Sequence, residues 1–134
     1  MKIIYNKYFP INPFWATNVF GIIFCRIDKG ELTEVAKNHE YIHTMQQREL
    51  GYIGFLLWYN LEWMYKTIKY RNRMKAYRSL IFEREAYGMQ RNLNYSNERR
   101  PYEWFYHYTE PGTLAYGFGR ILVGMRQMIK RCSR

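Results

Sequence analysis

His39-Glu40-Tyr41-Ile42-His43 is the stretch from which the rest of this chain is best read. Imidazoles four residues apart on an α-helix stand one turn from each other on the same face, so both can reach one ion. Glu40 lies beside them around the helix, where its carboxylate can address a water held on that ion without binding the ion itself. From the chain's own His and Glu frequencies, a chance H-E-x-x-H match is roughly a half-percent event. The motif also takes two of the three histidines. The plainer alternative is a pair of core histidines hydrogen-bonded to backbone or tyrosine.

The flanking sequence supports a helix over 33–49. Thr33 is a good N-cap, and Glu34 places a negative charge in the first turn, where the helix dipole favours it. On a 100° wheel Val35, Ala36, His39, Ile42, His43 and Gln46 share one arc, with Lys37, Thr44 and Arg48 opposite. Residues 1–30 read as two strands joined by a loop containing Pro10 and Pro13, closed by an Asp28-Lys29-Gly30 turn. Downstream, 52–70 is a helix apolar nearly all round, 74–92 a helix carrying Glu83 and Glu85, and Asn94 to Pro101 a break. The segment 102–134 holds a short aromatic helix at Tyr102–Tyr108 and then Ile121, Leu122, Met125, Met128, Ile129 and Cys132 at helical spacing. The expected class is α+β, mainly α, with a small N-terminal β-hairpin on a helical core and 1–134 forming one domain.

Two histidines are too few for a catalytic zinc, which takes three protein ligands plus water. Glu49 has the spacing of the third ligand in the extended H-E-x-x-H-x-x-G-x-x-H pattern, but Gln46 replaces that pattern's glycine, so the helix should carry Glu49 away. His107 sits in Trp104-Phe105-Tyr106-His107-Tyr108 and is a candidate ligand, transition-state stabiliser or surface residue. In Phe82-Glu83-Arg84-Glu85-Ala86-Tyr87, helical phase favours Glu83 over Glu85: Glu83 shares a side with Ala76, Ser79, Leu80, Ala86 and Tyr87. Glu85 falls beside Arg78, a ready salt-bridge partner.

H-E-x-x-H on one helix with a glutamate on a later one resembles the gluzincin arrangement of zinc metallopeptidases. The second motif is similar to the glutamate-x-x-alanine-aspartate signature of the Ste24-like and heat-shock membrane metallopeptidases. The whole chain also looks like small zincin-like proteins of Bacteroidetes. The resemblance implies a zincin-like core, Zn²⁺ as cofactor, and His39, His43 and Glu83 as ligands; the sequence of the helix itself leaves Glu85 as the alternative. Tyr87 stands where that signature has an aspartate that orients a zinc-bound histidine, and the family's transmembrane helices are absent.

The function expected on these grounds is a zinc metallohydrolase, most simply a peptidase, with Glu40 as general base and His107 or a tyrosine as a hydrogen-bond donor to the carbonyl oxygen. Its partner would be a peptide or protein strand lying on an exposed edge from residues 14–27. A zinc-binding protein without turnover is the alternative.

The 134 residues carry 21 Lys+Arg against 11 Asp+Glu, a net +10, and 19% are aromatic. That balance first suggests phosphates, on nucleic acid or an anionic membrane. No RNP, KH or helix-turn-helix signature accompanies it, so nucleic acid is disfavoured. The segment 120–134 resembles a basic amphipathic helix able to lie on anionic lipid, although a terminal helix docked on the core is the plainer reading. Cys25 and Cys132 exclude a disulfide scaffold or zinc finger. No signal peptide is evident, and the uncharged run Gly51–Leu61 is shorter than the ~20 residues a bilayer span needs. A cytoplasmic location, with or without membrane association, is therefore expected.

Overall fold

The computed structural model describes residues 1–107, except the His107 side chain, together with Arg120, Ile121, Gly124, Met125 and Met128. The expected basic helix over 120–134 lies outside the described residues but for those five positions.

Among residues 1–107, a three-stranded sheet of β1 (Lys2–Asn6), β2 (Ala16–Val19) and β3 (Ile22–Arg26) precedes a single 3-10 turn (Ile27–Lys29) and six α-helices. The helices are α1 (Glu34–Leu50), α2 (Tyr52–Tyr70), α3 (Arg73–Arg78), α4 (Ile81–Met89), α5 (Tyr95–Glu98) and α6 (Glu103–His107). The architecture is α+β and mainly α, as expected, but the sheet differs from the expected hairpin. β3 is central: β1 pairs with it in parallel, Ile3 opposite Ile23, and β2 antiparallel, Asn18 opposite Ile23. The hairpin is β2–β3, closed at Phe20 and Gly21 with φ of 53° and 77°. Two consecutive residues at positive φ make the turn whose twist matches antiparallel strands, so the stretch Val19–Ile27 folds back at Gly21 instead of running on as one strand. The proline loop instead leads from β1 to the opposite edge at β2.

Ile23 and Cys25 point from β3 into a cluster with Leu32, bordered by Ile3, Trp15 and Ala36. This joins sheet to α1. Thr33 caps α1 as expected, its hydroxyl accepting from the Ala36 N–H at 3.2 Å. Gly51, at φ 70°, ends α1 and turns the chain directly into α2.

The expected helix over 74–92 is two helices, α3 and α4, broken at Ser79–Leu80. The cause lies on α2. Glu62 Oε1 accepts the Ile81 N–H at 3.1 Å, and Lys66, ion-paired to Glu62 at 2.8 Å, donates to the Ser79 carbonyl. Backbone groups freed by the break thus find buried partners. The break expected at Asn94–Pro101 likewise contains the one-turn helix α5.

α4 packs antiparallel on α1, sharing Ile42, Ala86 and Tyr95 as a core. Two carboxamides set the register. Asn38 Nδ2 donates to the carbonyls of Gln90 (2.9 Å) and Asn92 (3.0 Å) at the end of α4, and Gln46 Nε2 donates to the Phe82 carbonyl (3.1 Å) at its start. On the other side of α4, Phe82 and Ile81 join Phe55 of α2 and Trp104 of α6.

Removing the cap with Thr33→Ala should cost about 1 kcal/mol. Asn38→Ala leaves two carbonyls without their donor and should cost about 1–3 kcal/mol. Urea denaturation checks both, and equal midpoints for Asn38→Ala and the parent would contradict the register role.

Candidate metal centre

The register of α1 against α4 brings His39, His43 and Glu83 together. All three are buried, and they are the one group of metal-ligating side chains that converges among the described residues. His39 Nε2 lies 3.1 Å from His43 Nε2 and 3.3 Å from Glu83 Oε2, and His43 Nε2 lies 3.2 Å from Glu83 Oε1. Three electron-pair donors therefore face one point.

Each ring is aimed by a carboxamide. His43 Nδ1–H donates to Gln46 Oε1 at 2.8 Å, and His39 Nδ1–H to Gln90 Oε1 at 3.2 Å. With Nδ1 so engaged, each Nε2 is left to the shared point. Gln90 supplies the acceptor that Tyr87 cannot. The Tyr87 ring instead packs edge-on against His39, centroids 4.6 Å apart.

Glu83 is oriented from α2, where the Tyr59 hydroxyl donates to Oε1 at 2.7 Å. Its Oε2 is buried, with only His39 Nε2 near it and no well-aligned donor. This oxygen and the two Nε2 atoms fit a cation, which would take all three as ligands. In the metal-free cluster a proton does part of that work. Burial opposes charging of His43, but the Glu83 carboxylate outweighs it and lifts the imidazole to about 9. Burial likewise pushes the Glu83 carboxyl up, and His43 and His39 together hold it below the ordinary carboxylate range. Tyr59 is pushed well above a normal phenol, first by burial and then by the Glu83 charge, so it remains a donor.

Glu40 is buried on the same helix, and its Oε2 has no hydrogen-bond partner. Desolvation raises its pKa, moderated by His43 and His39. Glu40, His43 and Glu83 open onto a cavity of about 800 Å³ walled by β2, the proline loop and α2.

Glu85 does not reach the cluster, contrary to its candidacy as a ligand. It is fully buried, facing away on α4, and pairs with Arg99 rather than Arg78. Tyr95 donates to its Oε1 at 2.9 Å and Gln46 Nε2 to its Oε2 at 2.8 Å. Glu49 is likewise apart, held by Arg99 and by the Trp104 indole N–H at 2.9 Å. Arg99 thus binds a buried carboxylate on α4 and a half-buried one on α1. His107 ends α6, and its side chain lies outside the described residues.

Thr44, expected on the outer face, is buried, while Val35, expected within, is exposed. The Asn18 side chain explains Thr44. Its Nδ2 donates to Thr44 Oγ1 (2.7 Å) and the Glu40 carbonyl (2.6 Å), tying β2 to the motif helix. Gln47 reinforces this tie through the Asn18 carbonyl at 3.1 Å. Gln46 stood on the histidine arc of the wheel and so was visible as interior. Gln90, Tyr59 and Asn18 left no comparable trace in the spacing.

No protein family matches the sequence, and neither a curated protein nor a solved structure matches the chain significantly. The motifs therefore carry the gluzincin resemblance on their own.

In the presence of a chelator, the His43–Glu83 pair should stabilise the fold fully below pH 6.5 and lose its His43 contribution as pH rises through about 9. Thermal melts from pH 6 to 10 of the parent and His43→Gln check this; parallel curves would contradict it. Arg99→Leu leaves the buried Glu85 and the half-buried Glu49 without their cation and should cost about 3–5 kcal/mol in urea denaturation.

Proposed function

We propose that this chain is a zinc-dependent hydrolase acting on peptides, with His39, His43 and Glu83 as metal ligands and Glu40 as general base. The carrying observation is the spacing of the donor atoms. Four-coordinate zinc with ligands at about 2.0–2.1 Å has neighbouring ligand atoms about 3.3 Å apart. The two Nε2 atoms here are 3.1 Å apart, and the Glu83 carboxylate spans them, Oε2 at 3.3 Å from His39 and Oε1 at 3.2 Å from His43. Two imidazoles and a carboxylate are also a donor set that zinc accepts in catalytic sites.

Zinc held there would lower the pKa of a water to about 7 and polarise a carbonyl. Glu40, with its unbonded Oε2 at the cavity wall, takes the proton of the attacking water and returns it to the leaving amine. Gln46 and Gln90 hold the rings in one tautomer throughout, and Tyr59 fixes the Glu83 carboxylate. Burial keeps bulk water from competing for the ligands.

β2 supports a peptide as substrate. It is an edge strand, and Ala16–Val19 line the cavity beside Glu40 and His43. Arg26 N–H donates to the Trp15 carbonyl at 3.0 Å, so strand alternation turns the main-chain groups of Ala16 and Asn18 away from β3. Gln47 takes the Asn18 carbonyl, and Ala16 remains for an extended chain to pair with. Phe9, Phe14, Phe55, Trp63 and Met74 on the cavity wall suit large apolar side chains.

Elemental analysis of protein refolded with Zn²⁺ should give one zinc per chain, reduced at least tenfold in His39→Ala and Glu83→Gln. Glu40→Gln should keep the zinc and lose at least 100-fold in turnover of a mixed peptide library, read by mass spectrometry. One equivalent of zinc with no cleavage of any peptide by the parent would reduce the function to metal binding. Undiminished cleavage by Glu40→Gln would overturn the mechanism.

A further inference from the structure

Although α2 is the most apolar helix of the sequence, much of its apolar surface lies outside the core: of its 19 residues only Phe55 and Lys66 are buried. Ile53, Leu57, Leu61, Met64, Tyr65 and Ile68 keep between 59% and 77% of their surface open. At 100° per residue these six fall within one arc, and no polar residue of α2 lies among them. From Ile53 to Ile68 the stripe runs about 22 Å. Monomeric proteins rarely leave so long a continuous apolar patch open without a use for it.

The stripe ends in positive charge. Between Glu62 and Glu83 the sequence has no acidic residue, while Lys69, Arg71, Arg73, Lys75 and Arg78 are all exposed. None of the five takes part in an ion pair among the described residues. Lys69 and Lys75 instead lie over the Tyr70 ring, at 5.3 and 4.9 Å, and Arg73 over Trp63 at 5.6 Å. Trp63 and Arg73 face the cavity, but Lys69 borders the stripe, 6.0 Å over the ring of its Tyr65. An apolar stripe ending in uncompensated cations is the pattern of a helix lying in a lipid interface. No helix of the described residues is long and apolar enough to cross a membrane, so the match is to lying on one.

We propose that the outer face of α2, with Lys69 and Arg71 at its C-terminal end, docks on an anionic lipid surface. Charge selects this occupant over the others. A second copy of the chain carries the same +10. The chain's own residues 108–134 hold five Arg or Lys against Glu110 alone, so they too share the sign of the patch. Only an anionic partner complements both the stripe and its cations.

Co-sedimentation of the full chain with vesicles tests this. Binding to equimolar phosphatidylglycerol and phosphatidylcholine is expected to be at least tenfold tighter than to phosphatidylcholine alone and to weaken with salt. The surface variant L61E/I68E, confirmed as folded by circular dichroism, should lose at least tenfold of that binding. Equal and negligible binding to both vesicles overturns the proposal, as does unchanged binding by L61E/I68E. If light scattering finds a dimer that L61E/I68E dissolves, the stripe is a contact between copies and the proposal fails. A large fall in the melting temperature of L61E/I68E without vesicles means that the chain itself covers the stripe, with the same consequence.

Discussion

Everything at the metal centre depends on how far along α1 the helix α4 comes to rest. A shift of one residue would turn Glu83 some 100° away from His39 and His43. Apolar packing of Ile42 against Ala86 is too smooth to forbid such a slip. The buried carboxamides are not smooth: Asn38 needs the carbonyls of Gln90 and Asn92, and Gln46 needs that of Phe82. Each unmet bond would leave a desolvated polar group, so only one register satisfies both ends.

The same register divides two glutamates that differ by two positions. Glu83 meets imidazoles and becomes a ligand candidate, whereas Glu85 meets Arg99 and becomes structure. Gln46 touches both worlds, its oxygen facing His43 and its nitrogen facing Glu85. Glu85 thereby dictates which way the amide points, and so which nitrogen of His43 is left for the shared site. Arg99 bridges Glu85 of α4 and Glu49 of α1 and so ties the two helices together through their carboxylates.

The Thr33 cap and the histidine face of the motif helix were legible because their signals are local and periodic. Glu83 was legible through phase on α4. What escaped depended on other elements. The Ser79–Leu80 break needs Glu62 and Lys66 of α2, which no window around 79 contains. Thr44 looked solvent-facing until Asn18 of β2 came to meet it. Gln90 replaces the aspartate that Tyr87 lacks, from three residues further along, where the signature gives no cue. The hairpin was misplaced because Phe20 at positive φ is an uncommon turn residue, and Gly21 alone marked the reversal.

The two sides of α2 answer to different surroundings. Its outer stripe faces away from the core, while its inner side presents Tyr59 to Glu83 and Glu62 to the Ile81 N–H, two residues before Glu83. A tilt of α2 would therefore displace both the hydroxyl that orients Glu83 and the carboxylate that caps the start of α4, and with them the geometry of the candidate centre.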